Sequence, residues 1–83
     1  MTRDVILYTR KQCNLCDETA AELRRLRDEL RFTLQELDVD EDVSLREQYN
    51  DIVPVVALGD RVIAHAPVDL AELRRTLAEA LPD

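Results

Sequence analysis

Cys13 and Cys16 are the only cysteines of the chain, and they stand three residues apart in the stretch Arg10-Lys11-Gln12-Cys13-Asn14-Leu15-Cys16-Asp17-Glu18. A thiol attacks as its thiolate, and a free cysteine holds its proton up to a pH of about 8.5. If Cys13 opens a helix, the unpaired N–H groups of the first turn and the positive end of the macrodipole favour the anion and lower that value. Arg10 and Lys11 add positive charge just upstream, so Cys13 reads as a nucleophile and the two cations as substrate-facing groups. Cys16 follows at same-face helical spacing, one turn deeper, where it can reach the Cys13 sulfur as a resolving thiol. Asp17 and Glu18 suit the helix dipole but repel a thiolate, and they oppose Arg10 and Lys11.

The same motif has other chemical uses. A Cys-x-x-Cys is half of a tetrahedral zinc site, and within one chain only His65 and carboxylates could complete it. A dimer would bring together two such pairs, enough thiolates for zinc or an iron–sulfur cluster. A further alternative is a binding module with no turnover. Two buried structural thiols would fit poorly behind the polar run Arg10-Lys11-Gln12.

Composition narrows the class. The 83 residues are expected to form one domain, 1–83, with a core large enough to fold without disulfides or metal. Eleven basic residues against eighteen acidic give a net charge of −7, which argues against nucleic acid and anionic membrane as partners. No apolar run approaches the roughly 20 residues of a membrane span, and Met1-Thr2-Arg3-Asp4 leads into a run too short for a signal h-region. A cytoplasmic monomer is the expectation. In that compartment structural disulfides are kept reduced, so the motif reads as redox chemistry rather than as a staple.

The elements that must position the thiols follow from periodicity. Val5-Ile6-Leu7-Tyr8 is a continuous apolar run suited to a central strand buried on both faces, delivering Cys13 to its carboxyl edge. Ala20, Leu23, Leu26 and Leu30 continue from Cys16 at helical spacing. Phe32 to Leu37 suits a half-exposed second strand, parallel to the first because a helix crosses between them. Asp38 to Asp42 reads as an acidic connection. Asp42 or Ser44 caps a short helix through Tyr49, with Ser44-x-x-Glu47 as a capping box and Asn50 as the stop signal. Gly59-Asp60 predicts a two-residue hairpin between Ile52–Leu58 and Arg61–Ala64, with Pro54 confined to the start or edge of its strand. Asp69-x-x-Glu72 opens a last helix that packs Leu70, Leu73, Leu77 and Leu81 inward.

Two segments, Leu7-Tyr8-Thr9-Arg10-x-x-Cys13-x-x-Cys16 and Val53-Pro54-Val55, make the chain resemble a glutaredoxin. It is most similar to a small bacterial glutaredoxin-like family that reads Cys-x-Leu-Cys-Asp-Glu and later Val-Pro-Val. The resemblance implies a thioredoxin fold, β1-α1-β2-α2-β3-β4-α3, with an α/β architecture and a four-stranded mixed sheet in the order 2-1-3-4. It implies a cis Pro54 facing the dithiol, and a Val53 whose backbone pairs with a substrate such as glutathione. Asn14-Leu15 stands where glutaredoxins commonly carry Pro-Tyr, and Ala64 to Asp69 lacks the glycines that accompany glutathione in that family.

The activity implied is that of a dithiol–disulfide oxidoreductase. The redox-active disulfide Cys13–Cys16 would serve in place of a tightly bound cofactor. The substrates would be protein or small-molecule disulfides, with glutathione or thioredoxin reductase as the source of electrons. Lone His65 could assist proton transfer, although a loop histidine is more often plain surface. Tyr8 and Tyr49 read as packing aromatics.

Overall fold

The apolar run near the start of the chain forms β1 (Asp4–Thr9), which takes an interior place in the sheet. The computed structural model describes residues 2–83; Met1, the first residue of the expected 1–83 domain, lies outside the described residues. After β1 come α1 (Asn14–Leu30), β2 (Thr33–Asp38), a 3₁₀ turn (Val39–Glu41), α2 (Val43–Tyr49), β3 (Val55–Leu58), β4 (Arg61–His65) and α3 (Leu70–Ala80). The strands lie in the order β2-β1-β3-β4. β2 pairs parallel with β1, as the intervening crossover helix demands, and β3 pairs antiparallel with both β1 and β4. This is the thioredoxin fold.

The sheet separates two apolar clusters. On one face Val5, Leu7 and Val56 meet Leu23 and Leu26 of α1 and Leu73 and Leu77 of α3. On the other, Val39 and Val55 gather with Tyr8 and Val53 against Leu45 and Tyr49 of the short α2. Both-face burial of the first strand is therefore corrected: Val5 and Leu7 are buried, but Ile6 and Tyr8 are only half-buried. A seven-residue α2 clustered around Tyr8 and Val55 is too short to cover that face.

Polar side chains set the boundaries. Asp38 accepts from the Asp40 N–H at 2.8 Å and folds the expected acidic connection into the 3₁₀ turn, which buries Val39. Asp42 caps α2, accepting from the N–H groups of Ser44 and Leu45 at 2.9 and 3.2 Å. Ser44 already lies inside that helix, so the Ser44-x-x-Glu47 capping box does not form. Asp69 caps α3 through the N–H groups of Ala71 and Glu72, while the Glu72 carboxylate pairs forward with Arg75 instead of reaching back to the cap.

The hairpin turn falls at Gly59-Asp60, with β3 beginning only at Val55, after Pro54. Gly59 has φ +62°, and a Cβ there would come within 2.9 Å of the Thr2 side chain, so both backbone and space call for glycine. At the edge of the sheet away from the cysteines, Arg3 donates to the carbonyls of Leu30, Arg31 and Pro82 and ties the end of α1 to the end of the chain. Among the described residues, no helix is long and apolar enough to cross a membrane.

Candidate active site

Strand register brings four segments to one edge of the sheet. Thr9 pairs with Asp38, so the stretch after β1 and the 3₁₀ turn after β2 leave side by side. Tyr8 pairs with Val55, and Val55 with His65, which sets Val53-Pro54 and the end of β4 at the same edge. The Val53–Pro54 peptide bond is cis, as the resemblance implies, and so is Ala66–Pro67. The Ala66 N–H donates to the Ile52 carbonyl at 3.1 Å, tying the two proline segments together.

Cys13 is the N-cap of α1, with extended backbone at φ −128° and ψ 104°. Its Sγ accepts the Cys16 N–H at 3.2 Å, and its carbonyl accepts the Asp17 N–H at 3.0 Å. Sulfur here occupies the place that an Asp or Ser oxygen usually takes at a helix start. Gln12 just before it has φ 58°, a left-handed conformation uncommon outside glycine, and so turns the chain sharply into the helix. The two cysteines form a disulfide with Cα atoms 5.2 Å apart. Cys13 is half-buried, whereas Cys16 is fully buried one turn inside. Buried Thr19 donates its hydroxyl to the Leu15 carbonyl at 2.8 Å and leaves no stray donor behind the pair.

On reduction the Cys13 sulfur would meet an N–H already aimed at it and the positive end of a seventeen-residue helix. Of the cations expected to assist, Lys11 is exposed. Arg10 is turned onto Asp40 and Asn50: Nε and Nη2 donate to the Asp40 carboxylate at 3.1 and 2.8 Å. Nη1 and Nη2 donate to the Asn50 carbonyl and side-chain oxygens at 3.0 and 2.8 Å. These hydrogen bonds hold the Asp40 carboxyl below its usual range and the Arg10 guanidinium above its own. Neither Asp40 nor Asn50 was an expected site residue. Their signal was present, since strands predicted parallel must end at one edge, with Arg10 following the first and an acidic run following the second.

Tyr8 and Tyr49 stack with ring centroids 4.5 Å apart, and burial, followed by Tyr49, raises the Tyr8 hydroxyl above its ordinary value. Pro54 is buried and Val53 half-buried. His65 is exposed, with Nδ1 2.8 Å from the Ala66 carbonyl oxygen. Among the described residues, no group of three or more His, Cys, Asp or Glu side chains is placed to hold a metal ion.

Comparison with known proteins agrees with this geometry. The family model described as "Glutaredoxin-like domain (DUF836)" matches residues 4–78. An uncharacterized protein of Mycobacterium tuberculosis is 36% identical over 81 residues, covering 92% of this chain and 84% of that protein. A structural-genomics target from X. campestris has a TM-score of 0.73 at 30% identity, covering 94% of this chain and 99% of its own. Protein Ne2328 from Nitrosomonas europaea gives 0.69 at 33% identity, covering 84% and 85% of the two chains. Thioredoxin 1 from Thermosipho africanus, at 16% identity and a TM-score of 0.71 over 92% and 91%, shares the fold. Since the family match spans nearly the whole length, this chain belongs to the glutaredoxin-like domain family.

Proposed function

We propose that the protein is a thiol–disulfide oxidoreductase with Cys13 as nucleophile and Cys16 as resolving thiol. The observation that carries this reading is the asymmetry of the pair: Cys13 caps the helix and is partly accessible, whereas Cys16 is buried and covalently within reach. In the forward direction the Cys13 thiolate attacks one sulfur of a substrate disulfide. A Cys13–substrate bond forms, the substrate S–S bond breaks, and the other half leaves as a thiolate that takes up a proton. Cys16 then loses its proton and attacks the Cys13 sulfur, releasing the second substrate thiol and closing the Cys13–Cys16 disulfide. The dithiol has lost two electrons and the substrate has gained them.

Lys11, Val53 and Pro54 flank this chemistry, and Arg10 shapes the loop from which Cys13 emerges. Val53 is held extended by the proline that follows it, so its backbone can pair with an extended substrate segment. The protein acts in this reading as a monomer in the cytoplasm, where a reductant is at hand. Coupled assays offering glutathione with its reductase, against thioredoxin reductase, identify the electron donor.

The decisive test is intact mass after incubation with a small disulfide. Cys16→Ser is expected to accumulate a mixed disulfide on Cys13, since attack survives and the internal escape is gone. Cys13→Ser is expected to form no adduct at the wild-type rate. The opposite pattern would reverse the assignment.

A further inference from the structure

The charge expected to draw an anionic substrate to Cys13 is already occupied. All three nitrogens of the Arg10 guanidinium donate to Asp40 or Asn50, at 2.8 to 3.1 Å. An Arg–carboxylate fork of this kind is a directional, charge-assisted pair, and an incoming carboxylate would have to displace one that is held in place by the fold. Arg10 lies three residues before Cys13, a chain span of at most about 11 Å. Asp40 sits on the turn that continues β2 past Asp38, the register partner of Thr9. Lys11 is exposed and makes no ion pair among the described residues. Against it stand Asp17 and Glu18 at the start of α1, and Glu41 and Asp51, which follow Asp40 and Asn50 in the chain, all exposed. Asp38 and Asp51 also act on the Arg10 charge, and one further cation, Arg46 of α2, acts on Asp40. With the Arg10 charge matched by Asp40, the five acidic groups Asp17, Glu18, Asp38, Glu41 and Asp51 outnumber the two cations Lys11 and Arg46.

We propose, building on the oxidoreductase reading, that Asp40 is a specificity-determining residue. By holding Arg10 it keeps the Cys13 edge acidic and selects disulfides flanked by cationic groups over anionic ones such as glutathione disulfide. The preferred substrate class is therefore a disulfide set among basic side chains. Asp40 acts through Arg10 and is a positioning residue; the bond changes remain those of Cys13 and Cys16.

The test is a single turnover of reduced, gel-filtered protein with each of three small disulfides: cystamine, which is cationic, bis(2-hydroxyethyl) disulfide, which is neutral, and glutathione disulfide, which is anionic. Acid quenching, alkylation and intact mass report the fraction oxidised, and the cystamine-to-glutathione rate ratio is divided by the same ratio for free dithiothreitol, which removes leaving-group differences. At low ionic strength the wild-type ratio is expected to exceed unity by about fivefold, the size that one or two unscreened charges near 10 Å produce, and to shrink in roughly 1 M salt. Asp40→Asn should bring the ratio down severalfold, and Asp40→Glu, which can remake the pair, should restore it. A wild-type ratio near unity, or the same ratio in Asp40→Asn, would overturn the inference while leaving the oxidoreductase reading intact. If wild type does not reduce even the neutral disulfide, that reading falls and the inference with it.

Discussion

Cys13 and Cys16 are the same residue type one helical turn apart, and their environments separate them. Cys13 caps α1 with an N–H directed at its sulfur, while Cys16 has no exposed surface on which to stabilise an anion. Alkylation rate against pH, measured on Cys16→Ser, is therefore expected to show a Cys13 midpoint below the free-thiol value of about 8.5. Asp17 and Glu18 work against that depression, because negative charge near a thiolate favours the protonated form. A midpoint at or above the free-thiol value would mean that the acidic residues outweigh the helix terminus. Asp40 differs from these acids in being committed to Arg10, and its influence reaches the thiol only through that partner.

Among the elements, α3 and α2 begin in the same way, on an aspartate that satisfies two otherwise unpaired N–H groups. Removing that acceptor leaves the backbone donors to water and loosens the first turn. Asp69→Ala is expected to destabilise the protein by about 1 kcal/mol in urea unfolding. Ser44→Ala should change stability by less than about 0.5 kcal/mol, because the hydroxyl lies within α2 and does not cap it. Equal losses in the two variants would contradict the cap assignment. Ion pairs between elements, Arg24 of α1 with Glu36 of β2 and Arg74 of α3 with Glu29 of α1, lie on the surface, where pairs of this kind contribute little.

At the scale of the molecule, stability rests on the cluster between the sheet and the α1/α3 layer. Leu23 is fully buried there among Val5, Leu7, Leu73 and Leu77, all part of one contiguous core. Leu23→Ala is expected to lower unfolding free energy by about 2–5 kcal/mol, through lost transfer energy and the cavity left behind. Val62→Ala, at a position 41% exposed on the edge strand β4, should fall within about 0.5 kcal/mol of wild type. A shift in urea midpoint with unchanged slope would confirm that both states keep their compactness. A small effect at Leu23 would mean that the core collapses around the gap.

What the sequence by itself determined was whatever local chemistry dictates: the alternation and length of apolar runs, the aspartates before α2 and α3, the Gly59 turn, and the placing of both thiols at a strand-to-helix junction. Parallel pairing of β1 and β2 followed as well, since a crossover helix leaves no other arrangement. Tertiary structure alone decided the rest. Whether Ile6 would be covered depended on the length and placing of α2, which no periodicity in β1 records. Val39 stands between acidic residues in the sequence, yet it is buried because the turn capped by Asp38 rolls it against Tyr49 and Val55. The charge of Arg10 was legible, but its partner, thirty residues away in sequence, was chosen by strand register. A residue's type shows which interactions it can make, and only the folded chain determines which neighbour is close enough to make them.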